Sequence, residues 1–122
     1  MRTLAQKRAE YALKETLASR TKVDKDKFKS FTAGAPAMIL QNGFGQALSF
    51  WLAKGKPEHI ILFDILTRWL QESKKKNFGA CRHPKDFIQK LANLEQSEYL
   101  AGQNEAMALL EWVKRFAAAD LQ

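Results

Sequence analysis

The 122-residue sequence predicts an all-α protein, a single compact bundle of about five to six helices that takes residues 1–122 as one domain. Three observations carry this expectation. Apolar residues recur at three- and four-residue steps, the spacing that places them on one face of a helix. Runs in which β-branched and polar residues alternate between turn signals are almost absent. Glycine and proline number only six and three, with no Gly/Ser-rich or Pro-rich tract, so nothing reads as a linker or a disordered tail.

The first helix is expected over about residues 2–19. Ala5, Ala9, Ala12, Leu13 and Thr16 form a narrow stripe of small residues that permits close packing. Lys7, Tyr11 and Lys14 lie on another strip. Asp24 is placed to cap a second helix in which Phe28, Phe31, Ala35 and Met38 keep the helical step. Gly34 and Pro36 interrupt it, and proline lacks the amide donor, so a kink is expected there, or a break with Pro36 opening a new segment. Asn42-Gly43 is a turn dipeptide, and Gly43 and Gly45 read as backbone hinges between two helices.

A third helix, about 44–54, buries Leu48 and Leu52 with either Trp51 or Phe50, and Gly55 ends it. A fourth opens at Pro57 and runs to about residue 75. Apolar residues from Ile60 to Leu70 cover most of its circumference, so it is the central buried helix. Lys74, Lys75 and Lys76 at its end suit the negative pole of the helix dipole. A loop is expected over 77–83, then a short helix from Pro84 carrying Phe87, Ile88 and Leu91. A final helix over about 97–119, with Ala106, Leu109, Leu110, Val113, Phe116 and Ala117 inward, would span roughly 35 Å and serve as the spine.

Charge is distributed unevenly. Residues 1–85 hold 17 Lys/Arg against 7 Asp/Glu, whereas residues 86–122 hold 3 against 6, so the net +7 belongs to the first two thirds. A polyanion is the natural partner of such a surface. The basic residues gather in three places. Arg20, Lys22, Lys25, Lys27 and Lys29 surround the first connection, Lys54 and Lys56 follow the third helix, and Lys74, Lys75, Lys76, Arg82 and Lys85 surround the later loop. Lysines at loops and helix ends can follow a phosphate backbone without reading bases.

Catalytic chemistry finds no foothold in the residues. His59, Cys81 and His83 are too few for a zinc site, and no cofactor motif is present. Cys81 and His83 lack the orienting group and pocket of a nucleophilic pair. Asp64, a carboxylate within the most apolar helix, is expected to pair with Arg68 at i+4. A single cysteine, the absence of an apolar leader over residues 1–7 and the lack of any membrane-length apolar run give a cytoplasmic protein with no membrane partner as the expectation. Trp51, Trp69 and Trp112 read as core residues, Trp112 being the one placed to meet a neighbour instead.

The run from Met38 through Gln41-Asn42-Gly43-Phe44-Gly45-Gln46 to Lys54 closely resembles the hallmark of the small subunit of the type III-B CRISPR effector, the Cmr module. The segment from Glu105 through Leu109-Leu110-Glu111-Trp112-Val113-Lys114-Arg115 to Ala117 resembles it too. The resemblance implies a non-catalytic helical subunit of an antiviral, RNA-guided complex. Several copies would assemble beside the other effector subunits, along the guide RNA and target RNA. The uneven charge adds an expectation beyond the resemblance: in a head-to-tail filament Glu98 and Glu105 of the acidic last helix meet a neighbour's basic patch, with Trp112, at the edge of the apolar arc, also at the interface. A helix-turn-helix DNA reader is a weaker reading, because residues 44–54 are too apolar to read a groove. A helical adaptor that binds only protein is the alternative.

Overall fold

The structure is a computed structural model that describes residues 1–119; positions 120–122 of the expected domain lie outside the described residues. It is all-α. Seven helices follow in order: α1 (Leu4–Ser19), α2 (Lys25–Asn42), α3 (Phe44–Lys54), α4 (Pro57–Ser73), α5 (Lys75–Phe78), α6 (Pro84–Ala92) and α7 (Gln96–Ala118). No strand occurs among the described residues.

Local chemistry sets most of the boundaries. Thr3 Oγ1 accepts from the Gln6 amide at 3.1 Å while Gln6 Oε1 accepts from the Thr3 amide at 2.8 Å. This reciprocal capping box starts α1 at Leu4 rather than at residue 2. Asp24 caps α2 as expected, accepting from the amides of Asp26 at 2.9 Å and Lys27 at 3.0 Å. Gly43, with φ 88° and ψ 156°, joins α2 to α3, a backbone region open essentially to glycine alone. Gly55 at φ 65° ends α3, and Pro57 opens α4.

Helix α7 packs against α1, α2 and α4, and its Ala106, Leu109, Leu110 and Val113 are fully buried. Leu62, Leu66 and Leu70 of α4 close the same core. Several of the buried polar groups tie helices together. Glu105 of α7 is 7% exposed and accepts from Arg8 Nε at 2.6 Å, Arg8 Nη2 at 2.9 Å and Trp69 Nε1 at 2.9 Å. Tyr11 donates its hydroxyl to the Ile65 carbonyl at 2.7 Å and stacks at a tilt on Trp69. These contacts bind α1, α4 and α7 to one another.

Three readings of the sequence are corrected. Of the kink or break expected at Pro36, the break does not occur: α2 continues through it to Asn42 with Pro36 buried among the residues facing the core. Burial of the ring offsets the lost hydrogen bond, a balance that the local sequence does not reveal. The helix count rises to seven because the chain turns at Lys74 (φ −126°, ψ 51°) and forms the extra turn α5 where a loop is expected. Phe78 explains that turn: it is fully buried, its ring stacked 4.5 Å from Phe87 at 8°. Gly102 of α7 makes room for it, since a Cβ there would stand 3.2 Å from the Phe78 ring. Lys90 Nζ caps the turn by donating to the Phe78 carbonyl at 2.7 Å.

The third correction concerns Asn42 and Gly45. Neither has positive φ; Asn42 is the last residue of α2 and Gly45 lies inside α3, so Gly43 alone is the hinge. Gly45 permits a close approach instead, its amide donating to the Tyr99 hydroxyl at 2.8 Å. Phe116 packs against the core as expected, half-buried, with its ring 5.6 Å from that of Trp112. Between the two aromatics offered for α3, Trp51 is fully buried and Phe50 is exposed.

Candidate nucleic-acid interface

The first basic group divides on folding. Arg20, the C-cap of α1, reaches the end of α7, its Nη2 donating to the Ala119 carbonyl at 3.2 Å, and both Arg20 and Lys25 have partners within the chain. Lys22 and Lys27 join Lys56 of the second group around an open groove of about 840 Å³ between the α1–α2 connection and the start of α4. The same groove carries Asp24, Asp26 and Glu58, so three ammonium groups face three carboxylates and the field over it is largely balanced. Its aromatic floor is the Phe31–His59 stack, with centroids 4.0 Å apart. Burial holds His59 below the ordinary histidine value, against the pull of Glu58, whose Oε1 is 3.8 Å from Nδ1. Lys54 stands apart, its ammonium 5.6 Å from the exposed Phe50 ring.

The third group behaves differently. Lys74, at the α4–α5 turn, is half-buried, and its charge helps hold the Glu105 carboxylate ionised. Lys75, Lys76, Arg82 and Lys85 are exposed, and among the described residues none of them makes an ion pair within the chain. Short helix α5, the following connection and the first turn of α6 display these four cations. The segment is anchored from beneath by Phe78, by the Lys90 cap and by the Cys81 amide donating to Gln71 Oε1 at 2.7 Å. Lys75 and Arg82 edge two adjoining grooves that share Arg68 and Gln71 along α4. A rigid support under flexible ammonium tips suits a polyanion held by its backbone.

The other chemical candidates resolve into structure. Arg68 pairs with Asp64 Oδ2 at 2.8 Å, as the sequence implies, and also with Glu15 of α1, a partner 53 residues away that the local pattern does not announce. Those carboxylates raise the Arg68 guanidinium above its ordinary value. Burial pushes the Cys81 thiol up, away from the thiolate that nucleophilic chemistry needs. Among the described residues no group of His, Cys, Asp and Glu is disposed to hold a metal, and no helix is long and apolar enough to cross a membrane.

Of the three residues expected at a subunit interface, Glu105 is not available. It faces Arg8 and Trp69 inside the molecule, because position 105 lies at the edge of the α7 core stripe rather than on its solvent face. Trp112 is 36% exposed and Glu98 half-buried in the first turn of α7, so both reach the surface. Tyr11, which stands between Lys7 and Lys14 in sequence, is turned inward by its bond to Ile65 and is no stacking platform.

Comparison with known proteins adds an independent line. Residues 4–120 match the family model described as CRISPR-associated protein (Cas_Cmr5). A curated relative from Thermus thermophilus, the CRISPR system Cmr subunit Cmr5, is 27% identical over 122 residues, covering 100% of this chain and 99% of that protein. The crystal structure of a CRISPR-associated Cmr5 family protein from the same organism superimposes with a TM-score of 0.81 at 26% identity, covering 100% of both chains.

Proposed function

From its membership of the Cmr5 family of CRISPR-associated proteins, to which the chain belongs, we propose that it is a non-catalytic small subunit of a type III-B effector that helps hold target RNA. It works in the cytoplasm beside the other effector subunits. Several copies line the guide RNA and target RNA, joined head to tail through surfaces that include Glu98 and Trp112. Cleavage chemistry belongs to other subunits.

The observation that supports RNA contact is the face of α5 and the start of α6, where Lys75, Lys76, Arg82 and Lys85 are exposed and, among the described residues, make no ion pair within the chain. The groove holding Lys22, Lys27 and Lys56 is a weaker candidate because Asp24, Asp26 and Glu58 share it. Each unpaired cation that replaces a condensed counterion on RNA contributes to affinity, whereas a cation already facing a carboxylate contributes less.

Charge reversal separates the two surfaces. The pair Lys75→Glu and Lys76→Glu is expected to weaken target RNA binding by the assembled complex by at least about tenfold, and the pair Lys22→Glu and Lys27→Glu by much less. Equal effects, or none from the first pair, would remove the α5–α6 face from the RNA path.

A further inference from the structure

The groove between the α1–α2 connection and the start of α4 contains a buried carboxylate without a hydrogen bond. Glu58, in the first turn of α4, is 8% exposed, and among the described residues no donor bonds to its side chain. His59 Nδ1 stands 3.8 Å from Glu58 Oε1, beyond hydrogen-bond reach, and is itself buried without a partner. We infer that this groove is a binding site for a guanine base, whose paired N–H donors Glu58 accepts beside the Phe31–His59 stack. The site is separate from the α5–α6 face and does not depend on the role assigned to that face.

A buried carboxylate is costly unless donors reach it, and in its ionised form it only accepts. The occupant must therefore bring N–H groups to the foot of the groove. Burial holds His59 below the ordinary histidine value, so at neutral pH the imidazole is uncharged and does not neutralise Glu58. The lining beside Glu58 is aromatic. The Phe31 and His59 rings stack 4.0 Å apart, and Phe31 meets the fully buried Trp51 at 5.2 Å and 76°, which steadies the stack. A planar group with donors along one edge suits both features. At about 840 Å³ the groove has room for a nucleotide.

Summed over the groove the charges cancel, so their depth rather than their total selects the ligand. Glu58 is buried, whereas Lys22, Lys27 and Lys56 are exposed together with Asp24 and Asp26, and Asp24 is partly engaged in capping α2. Donors below and an anion above describe a nucleotide with its base inward and its phosphate toward the ammonium groups. An arginine side chain would also satisfy Glu58, but it would bring a further cation among three lysines and no anion for them. Among the bases, guanine presents two adjacent donors, its ring N1–H and its exocyclic amino group, to the two oxygens of a carboxylate. Adenine and cytosine set an acceptor beside their amino group, and uracil flanks its single N–H with carbonyls, so each opposes an acceptor to Glu58. One base held here adds selectivity and little of the salt-dependent affinity that a backbone path supplies.

The test titrates the purified full chain with GMP, AMP, CMP and UMP, followed by calorimetry and by the ring-proton resonances of His59, one of two histidines in the sequence. GMP is expected to shift the His59 resonances and to bind at least about tenfold tighter than the other three, the discrimination of a bidentate base contact. Glu58→Gln keeps the size of the side chain but turns an N–H toward the guanine donors, so it should abolish the preference while the thermal midpoint stays near that of the wild type. A uridine oligomer with one central guanosine, set against uridine alone, separates the sources. A His59 shift with that oligomer identifies a base within RNA, and a shift with GMP only identifies a free nucleotide. No GMP-dependent shift at His59, equal binding of the four nucleotides, or a guanine preference that survives Glu58→Gln would overturn the inference. The Lys75→Glu and Lys76→Glu pair leaves GMP binding intact, so a failure of the RNA reading and a failure of this one are read separately.

Discussion

Arg8 of α1 holds Glu105 of α7 through two hydrogen bonds, 2.6 Å from Nε to Oε2 and 2.9 Å from Nη2 to Oε1, across 97 residues of sequence. Both side chains are largely buried, at 15% and 7% exposure, and Trp69 of α4 donates to the same carboxylate. The pair thus fixes the relation of three helices and, through Lys74 at the head of α5, reaches the base of the cationic face.

Removing one member of such a pair leaves the other charge buried without a partner. Glu105→Ala is expected to destabilise the fold by about 3 kcal/mol, whereas the double variant Arg8→Met with Glu105→Gln, which removes both charges and keeps an acceptor for Trp69 Nε1, should recover much of that loss. Urea unfolding of the two variants checks this. A double variant no more stable than Glu105→Ala would contradict it.

Acid should act through the same carboxylate. Burial pushes Glu105 up, but the hydrogen bonds from Arg8 and Trp69, with the charges of Arg8 and Lys74, outweigh it and hold the group below the ordinary glutamate value. A depressed folded-state value stabilises the fold above the unfolded value of about 4.3, and this contribution is lost as pH falls through the folded value. Wild-type protein is expected to lose stability more steeply below about pH 5 than Glu105→Gln, which has no proton to take up there. Thermal melting across pH 3–7 compares the slopes. Parallel curves would contradict the assignment.

Gly43 and Gly45 should respond differently to alanine. Gly43 sits at φ 88° and ψ 156°, so Gly43→Ala is expected to cost about 1–3 kcal/mol. Gly45 has helical backbone, and a Cβ there would lie 3.4 Å from the Tyr99 hydroxyl and 3.7 Å from Leu91, which a small shift of the tyrosine accommodates. Gly45→Ala is therefore expected to change stability by less than about 1 kcal/mol, its helix-propensity gain offsetting the shift. Denaturant midpoints of the two variants decide it.

These residues also mark what can be read in advance. Asp24, Gly55 and Pro57 announce helix ends because capping chemistry is local, and α3 emerges with the expected bounds, Phe44–Lys54. Glu105 is legible only as a helical carboxylate, since its burial depends on Arg8, far away in sequence. Likewise α5 forms because Phe78 must reach Phe87 and the gap left by Gly102, a three-way contact that no window of sequence contains. The three basic groups are visible as composition. Which of them share one groove with three carboxylates, as Lys22, Lys27 and Lys56 do, and which lie exposed along α5 and the connection to α6, as Lys75 and Arg82 do, is a matter of tertiary placement.

The central claim is that this chain lends a cationic face to the RNA path, and RNA affinity across a salt series tests it most directly. Binding of guide-complementary RNA should be measured for the purified chain and for the remaining effector subunits with and without it. With about five phosphate contacts the contribution of the chain should fall roughly 100-fold between 50 and 200 mM salt, and Lys75→Glu with Lys76→Glu should flatten that dependence. An RNA affinity that the chain leaves unchanged at every salt concentration, alone and in the complex, would contradict the claim and leave a subunit that acts through protein contacts alone.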